Sequence, residues 1–255
     1  MVKLDLIDLV SAIALVCVTI GLSAWQRLGL ELSILIACGR VILQLMVLGY
    51  VLSFVVAVNN PGTVLVILAV MLTVSALFTR NRISQKIPCF LPLVWIALFL
   101  STGLAVFYTN YVIIQPQQWY EARYIIPIAA MVLSSAISSS AIAGESLVKA
   151  IDGNSQEIET HLCLGATPEQ AVSKYQRTAM RAGLIPTINQ MMLIGMVTIP
   201  DFVNGQLLAG IPPEEAVSYQ IIMAFVVLFA NMLATLLIVN GICRQYFNAN
   251  AQLIR

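Results

Sequence analysis

Charge is scarce in this chain. Asp, Glu, Lys and Arg make up 10% of its 255 residues, against roughly 25% in a soluble domain. With 60% hydrophobic residues and long uncharged runs, water is excluded as its main solvent. The formal net charge of +1 says little about partners, and no nucleic acid is expected among them. Cysteine is sparse too: Cys17, Cys38, Cys89, Cys163 and Cys243 are scattered, odd in number and form no C-x-x-C pair. Neither a disulfide framework nor a zinc site is suggested. No glycine is followed by lysine, so no phosphate-binding G-x-x-x-x-G-K-[ST] loop exists. The chain cannot hydrolyse ATP, and an ATP-driven process would need its nucleotide site on another chain. A cleavable leader is not expected, because Asp5 and Asp8 occupy the place of a basic segment and the apolar run behind them is too long.

What is abundant is long apolar sequence. Runs with little or no charge cover Leu9–Gln26, Val41–Val58, Val64–Thr79, Ile87–Tyr111, Tyr124–Gly144, Leu184–Pro200 and Ala216–Cys243. Most reach the roughly 17–25 residues that cross a hydrocarbon core. They predict an all-α membrane protein of about seven transmembrane helices, a single polytopic domain over residues 1–255. The second helix is expected to start near Leu32 and to carry Arg40 inside it. Asn59-Asn60-Pro61-Gly62 is a turn cluster separating the second span from the third. With the N-terminus outside, the inner segments hold Arg27, Arg80, Arg82, Lys86, Lys149, Lys174, Arg177, Arg181, Arg244 and Arg255, and the outer ones only Lys3 and Arg123. That bias predicts an N-out, C-in topology, with the long segment of about residues 149–183 in the cytoplasm.

That segment is the least membrane-like part of the chain. Most helix–helix connections are short, so a long polar insertion between spans five and six invites a soluble partner. Glu157 to Leu164 reads as a helix stopped by Gly165. Thr167 is placed as the next N-cap, Pro168 suits the first helical position, and Gln170 stands three residues after the cap, which is a capping box. The following helix puts Ala171, Val172, Tyr175 and Ala179 on one side, with Lys174, Arg177 and Arg181 largely elsewhere. On pattern alone two readings stay open: a bent knob for a groove on another protein, or a pair of interfacial helices lying on the bilayer.

The string Glu159-x-x-x-x-Leu164-Gly165-Ala166-Thr167-Pro168-x-Gln170 resembles the coupling loop of ABC-transporter permeases. Thr160 and His161 depart from the two alanines of the importer pattern, and Pro186 lies farther from the glycine than usual. Gly39-Arg40-x-x-x-Gln44-Leu45-x-x-x-Gly49-Tyr50-Val51-Leu52 resembles the UPF0014 family. So do Ile126-Pro127-Ile128-Ala129-x-Met131, Leu184-Ile185-Pro186-Thr187 and the stretch Gly195-Met196-Val197-x-Ile199-Pro200 … Gly205 … Ala209-Gly210-Ile211-x-Pro213 … Tyr219-Gln220-Ile221. The likeness covers about residues 30–245. That family includes bacterial FetB-type iron-export permeases and plant aluminium-tolerance permeases. The resemblance implies two copies of a separate ABC ATPase gripping Glu159, Leu164, Gly165, Ala166, Thr167, Pro168 and Gln170. It also implies a permease homodimer in the inner (plasma) membrane, ATP-Mg on the partner and none on this chain, and metal export, iron first.

The polar residues at membrane depth are the candidates for a transport route. Arg40 and Gln44 are i, i+4 on one face and either line the route or a dimer seam, or Arg40 snorkels or pairs with Glu31 or Glu145. Ser135 and Ser139 share a face of the fifth span, as do Ser134 and Ser138; they are a packing seam or ion-coordinating hydroxyls. Glu145 ends that span as an ion ligand or a solvated helix end. Asn189 and Gln190 precede a thioether group, Met191, Met192 and Met196, which suits packing or a soft metal. Asp201 is expected at the outer mouth with Glu214 and Glu215. No metal ligand set is identified. A stand-alone carrier or channel, and a non-transport scaffold, are the alternative functions. The first needs a deep proton-coupling group, and only Arg40 is available.

Overall fold

The computed structural model describes residues 6–58, 60–83, 90–116, 118–248 and 252–253. Lys3, Asp5, Asn59, Lys86, Cys89 and Arg255 lie outside the described residues. The chain divides into two compact units, residues 1–59 and 60–255.

The first unit is a helical hairpin. α1 (Leu6–Trp25) and α2 (Glu31–Val58) are joined by a turn in which Arg27 and Gly29 take left-handed φ angles of 53° and 68°. Ser23 donates across it to the Glu31 carboxylate at 3.1 Å. α2 is apolar around most of its circumference and exposes large side chains such as Leu43, Leu45 and Phe54. A helix apolar on all sides needs an apolar solvent.

The second unit holds α3 (Pro61–Ile83), α4 (Phe90–Tyr108), α5 (Ala122–Gly153), α6 (Ser155–Cys163), α7 (Pro168–Leu193), α8 (Asp201–Leu208) and α9 (Pro213–Tyr246). α3 begins where the turn cluster predicts, with Asn60 Oδ1 accepting from the Gly62 amide at 2.9 Å. α4 runs on through a π-helical turn, Thr109–Ile114, which ends at Gln115 with φ 48°. Asn110 ties it down by donating to the Trp119 carbonyl at 2.6 Å. α5 and α9 form the centre, and α3, α4 and α7 pack around them. The core, with Val94, Leu98, Leu147, Ile151 and Ile238 fully buried, fills the space between these helices.

Among the described residues there is no strand, only two isolated bridges. Five helices among the described residues are long and apolar enough to cross a membrane: Glu31–Val58, Pro61–Ile83, Phe90–Ile114, Ala122–Gly153 and Pro213–Tyr246. α1 is a further apolar helix, with Ile13–Trp25 its described apolar part. The sixth expected span, Leu184–Pro200, is not a helix of its own. Its first ten residues are the end of α7, and the rest turns through Gly195 at φ 83° and an Ile194–Thr198 bridge. Pro186 stands inside α7 without ending it. A proline removes one backbone bond and bends a helix, yet packing on both sides holds this one continuous.

Candidate functional site

The polar segment folds as its residues dictate. α6 ends at Leu164, and Gly165 takes φ 92°, a left-handed angle that strains any residue with a Cβ. Its amide donates to the Leu162 carbonyl, and the Ala166 amide to the His161 carbonyl, each at 3.0 Å. This paired closure is the Schellman motif. The next helix starts with both halves of a capping box. Gln170 N–H donates to Thr167 Oγ1 at 3.3 Å, and Thr167 N–H to Gln170 Oε1 at 3.0 Å. Pro168 occupies the first turn, where a missing N–H costs nothing.

The break therefore has a fixed shape. Leu164 stands at its apex with 79% of its surface exposed. Ile158, Ala171, Val172, Tyr175 and Ala179 face inward and belong to the main core. Burial, with the Glu157 carboxylate beside it, raises the Tyr175 pKa. Lys174, Arg177 and Arg181 are exposed. Because the apolar face of α7 over residues 171–179 is spent on the protein's own core, that stretch is not free to lie on a bilayer. Glu159 and His161 are exposed on α6, with His161 Nε2 3.9 Å from the Glu157 carboxylate.

α7 carries this break directly to a second feature. From Pro168 to Thr187 it runs about 28 Å at 1.5 Å per residue. There it meets α5 closely: a Cβ on Gly183 would stand 2.5 Å from the Ser139 carbonyl oxygen and 2.8 Å from Ala143 Cβ. Beside that crossing opens a cavity of about 1120 Å³ between α5, α7, the start of α8 and α9. Ser134, Ser135, Ser138 and Ser139 line it from α5, and Thr187, Asn189 and Gln190 from α7. Asp201 is its one acidic lining residue among the described residues, and no basic side chain lines it.

A polar cluster holds the cavity wall. Asn231 on α9 is fully buried, and its Nδ2 donates to Ser135 Oγ and to Thr187 Oγ1, both at 2.8 Å. Thr187 Oγ1 lies 3.3 Å from Ser139 Oγ. Three helices are thus joined by side-chain hydrogen bonds in a region where apolar contacts dominate. Beside this cavity Asn231 Oδ1 and Gln220 Oε1 are buried without a hydrogen-bond partner among the described residues, as are Asn110 Oδ1 and Gln206 Oε1 elsewhere in the second unit. Each such oxygen costs about 1–3 kcal/mol when nothing satisfies it.

Of the expected route residues, Ser135, Ser139, Asn189 and Asp201 line this one cavity. Glu145 does not: it pairs with Lys149 at 2.7 Å on the partly exposed end of α5, an i, i+4 surface pair. Arg40 and Gln44 lie on α2 in the first unit, both exposed there, and Glu31 is engaged by Ser23. Met191, Met192 and Met196 do not line the cavity, and Met192 and Met196 are 63% and 79% exposed. Glu214 and Glu215 are exposed in the first turn of α9. Among the described residues no group of three His, Cys, Asp or Glu is placed to hold a metal. Sequence reasoning missed Asn231 and noted Gln220 only as part of the family motif, with no role in the site. Their signal was present: each is an amide inside the mostly apolar, uncharged run Ala216–Cys243, but an amide carries no charge to mark it.

Residues 6–247 match the group described as "Uncharacterised protein family (UPF0014)". A UPF0014 membrane protein of Synechocystis sp. is 45% identical over 254 residues, covering 100% of this chain and 98% of the relative. The probable iron export permease protein FetB of Escherichia coli is 30% identical over 97% of this chain and 94% of its own length. The protein ALUMINUM SENSITIVE 3 of Arabidopsis thaliana is 27% identical over 84% of this chain and 77% of its own. No solved structure matches the chain.

Proposed function

The chain belongs to the UPF0014 family, and on that premise we propose that it is the membrane-spanning permease subunit of an ABC transporter that exports a metal cation. Two copies of a separate ATPase, with ATP-Mg bound to them and none to this chain, would grip the α6–α7 break, and the permease would act as a homodimer in the inner (plasma) membrane. One observation carries this reading: a single helix joins the exposed break to the polar cavity. Leu164 at the apex is an apolar knob on a rigid, doubly capped bend. Any displacement imposed there travels along α7 to Gly183 and Thr187, which form the cavity wall. ATP-driven closure of the ATPases would bias the unit between inward-open and outward-open states, as a partner that binds one state better must. Iron as the cargo comes from the name of the Escherichia coli relative.

The proposed topology is N-out and C-in with seven crossings, α7 and the turn behind it making the sixth. Reporter enzymes fused at Gly210 should be active only outside, and those fused after residue 255 only inside. Reconstitution tests the function. Proteoliposomes holding the chain and its ATPase should move Fe2+ only when ATP is supplied on the ATPase side. Fe2+ flux that is independent of ATP would instead mark a stand-alone carrier, and no flux with normal partner binding would mark a scaffold.

A further inference from the structure

We propose that the side-chain amide oxygen of Gln220 is a ligand for a hard or borderline divalent cation held in the α5–α7–α9 cavity. The inference rests on the permease reading and adds to it the residue that meets the cargo. Gln220 lines the cavity and is only 5% exposed, yet its Oε1 accepts no hydrogen bond among the described residues. An amide oxygen withdrawn from water and left bare has an unfilled coordination position. Either a donor or a cation fills it.

The surroundings favour a cation. Asp201 supplies one negative charge to the same cavity, and no basic side chain lines it among the described residues. The remaining polar lining is hydroxyls and amides, the ligand types that hard cations take. Met131 is the one thioether there, while Met191, Met192 and Met196 lie elsewhere, so a soft-metal site is not built.

Position on the helix adds a second level. Gln220 and Val227 both line the cavity and are seven residues apart, about two turns of α9 on one face. Asn231 lies one turn farther, behind Ser135 and Thr187. Gln220 therefore lies nearer the start of α9 than the hydroxyl cluster does, and Asp201 lines the same cavity from the start of α8. A cation released from the hydroxyls passes Gln220 and Asp201 before leaving. Neutral oxygens with one carboxylate hold it weakly enough to let go, as conduction requires.

The test uses the full chain in phosphatidylcholine nanodiscs, with Mn2+ as the probe followed by electron paramagnetic resonance and anaerobic Fe2+ as competitor. Wild type should bind Mn2+ saturably, and Fe2+ should displace it. Gln220→Leu and Asp201→Asn should each weaken binding by about tenfold or more. Gln220→Glu should tighten it, and Gln220→Asn, which keeps the amide one methylene short, should fall between. A merely structural glutamine would not give opposite signs for Leu and Glu. Unchanged binding in Gln220→Leu and Gln220→Glu would overturn the proposal, as would a wild type that binds neither ion. Retention of the ATPase by the same Gln220→Leu preparation is read separately. Loss of cation binding in Gln220→Leu with the ATPase retained is the expected result; if Gln220→Leu binds the cation like wild type while the ATPase stays bound, the ligand assignment falls and the permease reading stands.

Discussion

Gly183 is the position where the α7 lever meets the cavity, and its replacement gives a graded prediction. A Cβ there would lie 2.5 Å from a backbone oxygen of α5 and 2.8 Å from Ala143 Cβ. Ordinary contacts need about 3.5 Å, so α7 would have to retreat by roughly 1 Å. The obstacle is another helix's backbone and cannot rotate away. Overpacking of this kind costs about 1–3 kcal/mol. Alanine regains about 1 kcal/mol of helix propensity over glycine, so Gly183→Ala should lose about 0–2 kcal/mol net. Gly183→Val adds two methyl groups and little propensity, and should lose about 3 kcal/mol or more, some 6–12 °C of thermal midpoint for a chain of this size. Gly205, with nothing within 4 Å of its would-be Cβ, is the control; Gly205→Ala should be neutral or gain up to about 1 kcal/mol. Thr187 lies one turn beyond Gly183, so the 3.3 Å approach of its hydroxyl to Ser139 should open and flux should fall with stability. Thermal unfolding in detergent and Fe2+ flux in proteoliposomes read both effects. A Gly183→Val protein that melts and transports like wild type would refute the close approach and the lever built on it.

Three further outcomes are expected. Thr167→Ala removes one half of the capping box and should cost about 1 kcal/mol locally, raising hydrogen exchange at the Gln170 amide about fivefold, whereas Thr167→Ser should keep protection. Asn231→Leu replaces a buried amide by an apolar group of similar shape; stability should change by no more than about 1 kcal/mol because the bare Oδ1 disappears with the two bonds, while flux should fall about tenfold or more as Ser135 and Thr187 lose their holder. Glu145→Gln breaks an exposed pair, should cost less than about 1 kcal/mol, and should leave flux unchanged; a large loss of flux would return Glu145 to the transport route.

The bend was legible in the sequence because its signals are local. A glycine that must take a positive φ, a Thr-Pro-x-Gln capping box and an apolar stripe at helical spacing each determine their own few residues. The five long spans were legible for a related reason: an uninterrupted apolar run is a property of composition. The continuity of α7 was not. Ile185-Pro186 marks a boundary by local rules, yet packing of Ala179 and Gly183 against the core carries the helix through it. The cavity was half legible. Hydroxyls clustered on α5 drew attention by number, and Asp201 by charge, whereas Asn231 and Gln220 matter through neighbours 96 or fewer residues away in sequence that only the fold brings to them. Glu145 shows the converse: a lone carboxylate at a span end draws notice, but Lys149 one turn on already satisfies it.

The central claim is that the α6–α7 break receives an ATPase. Its most direct test is affinity capture of the tagged chain from native membranes in mild detergent, side by side with Gly165→Val. A valine at φ 92° cannot keep the Schellman closure that sets the bend, while nothing within 4 Å of that position ties it to the core. Wild type should bring down a nucleotide-binding ATPase carrying a G-x-x-x-x-G-K-[ST] loop, in equal amount to itself. Gly165→Val should be inserted, show the wild-type thermal midpoint to within about 2 °C, and bring down none. Absence of such an ATPase from the wild-type complex, or its normal recovery with Gly165→Val, would contradict the account.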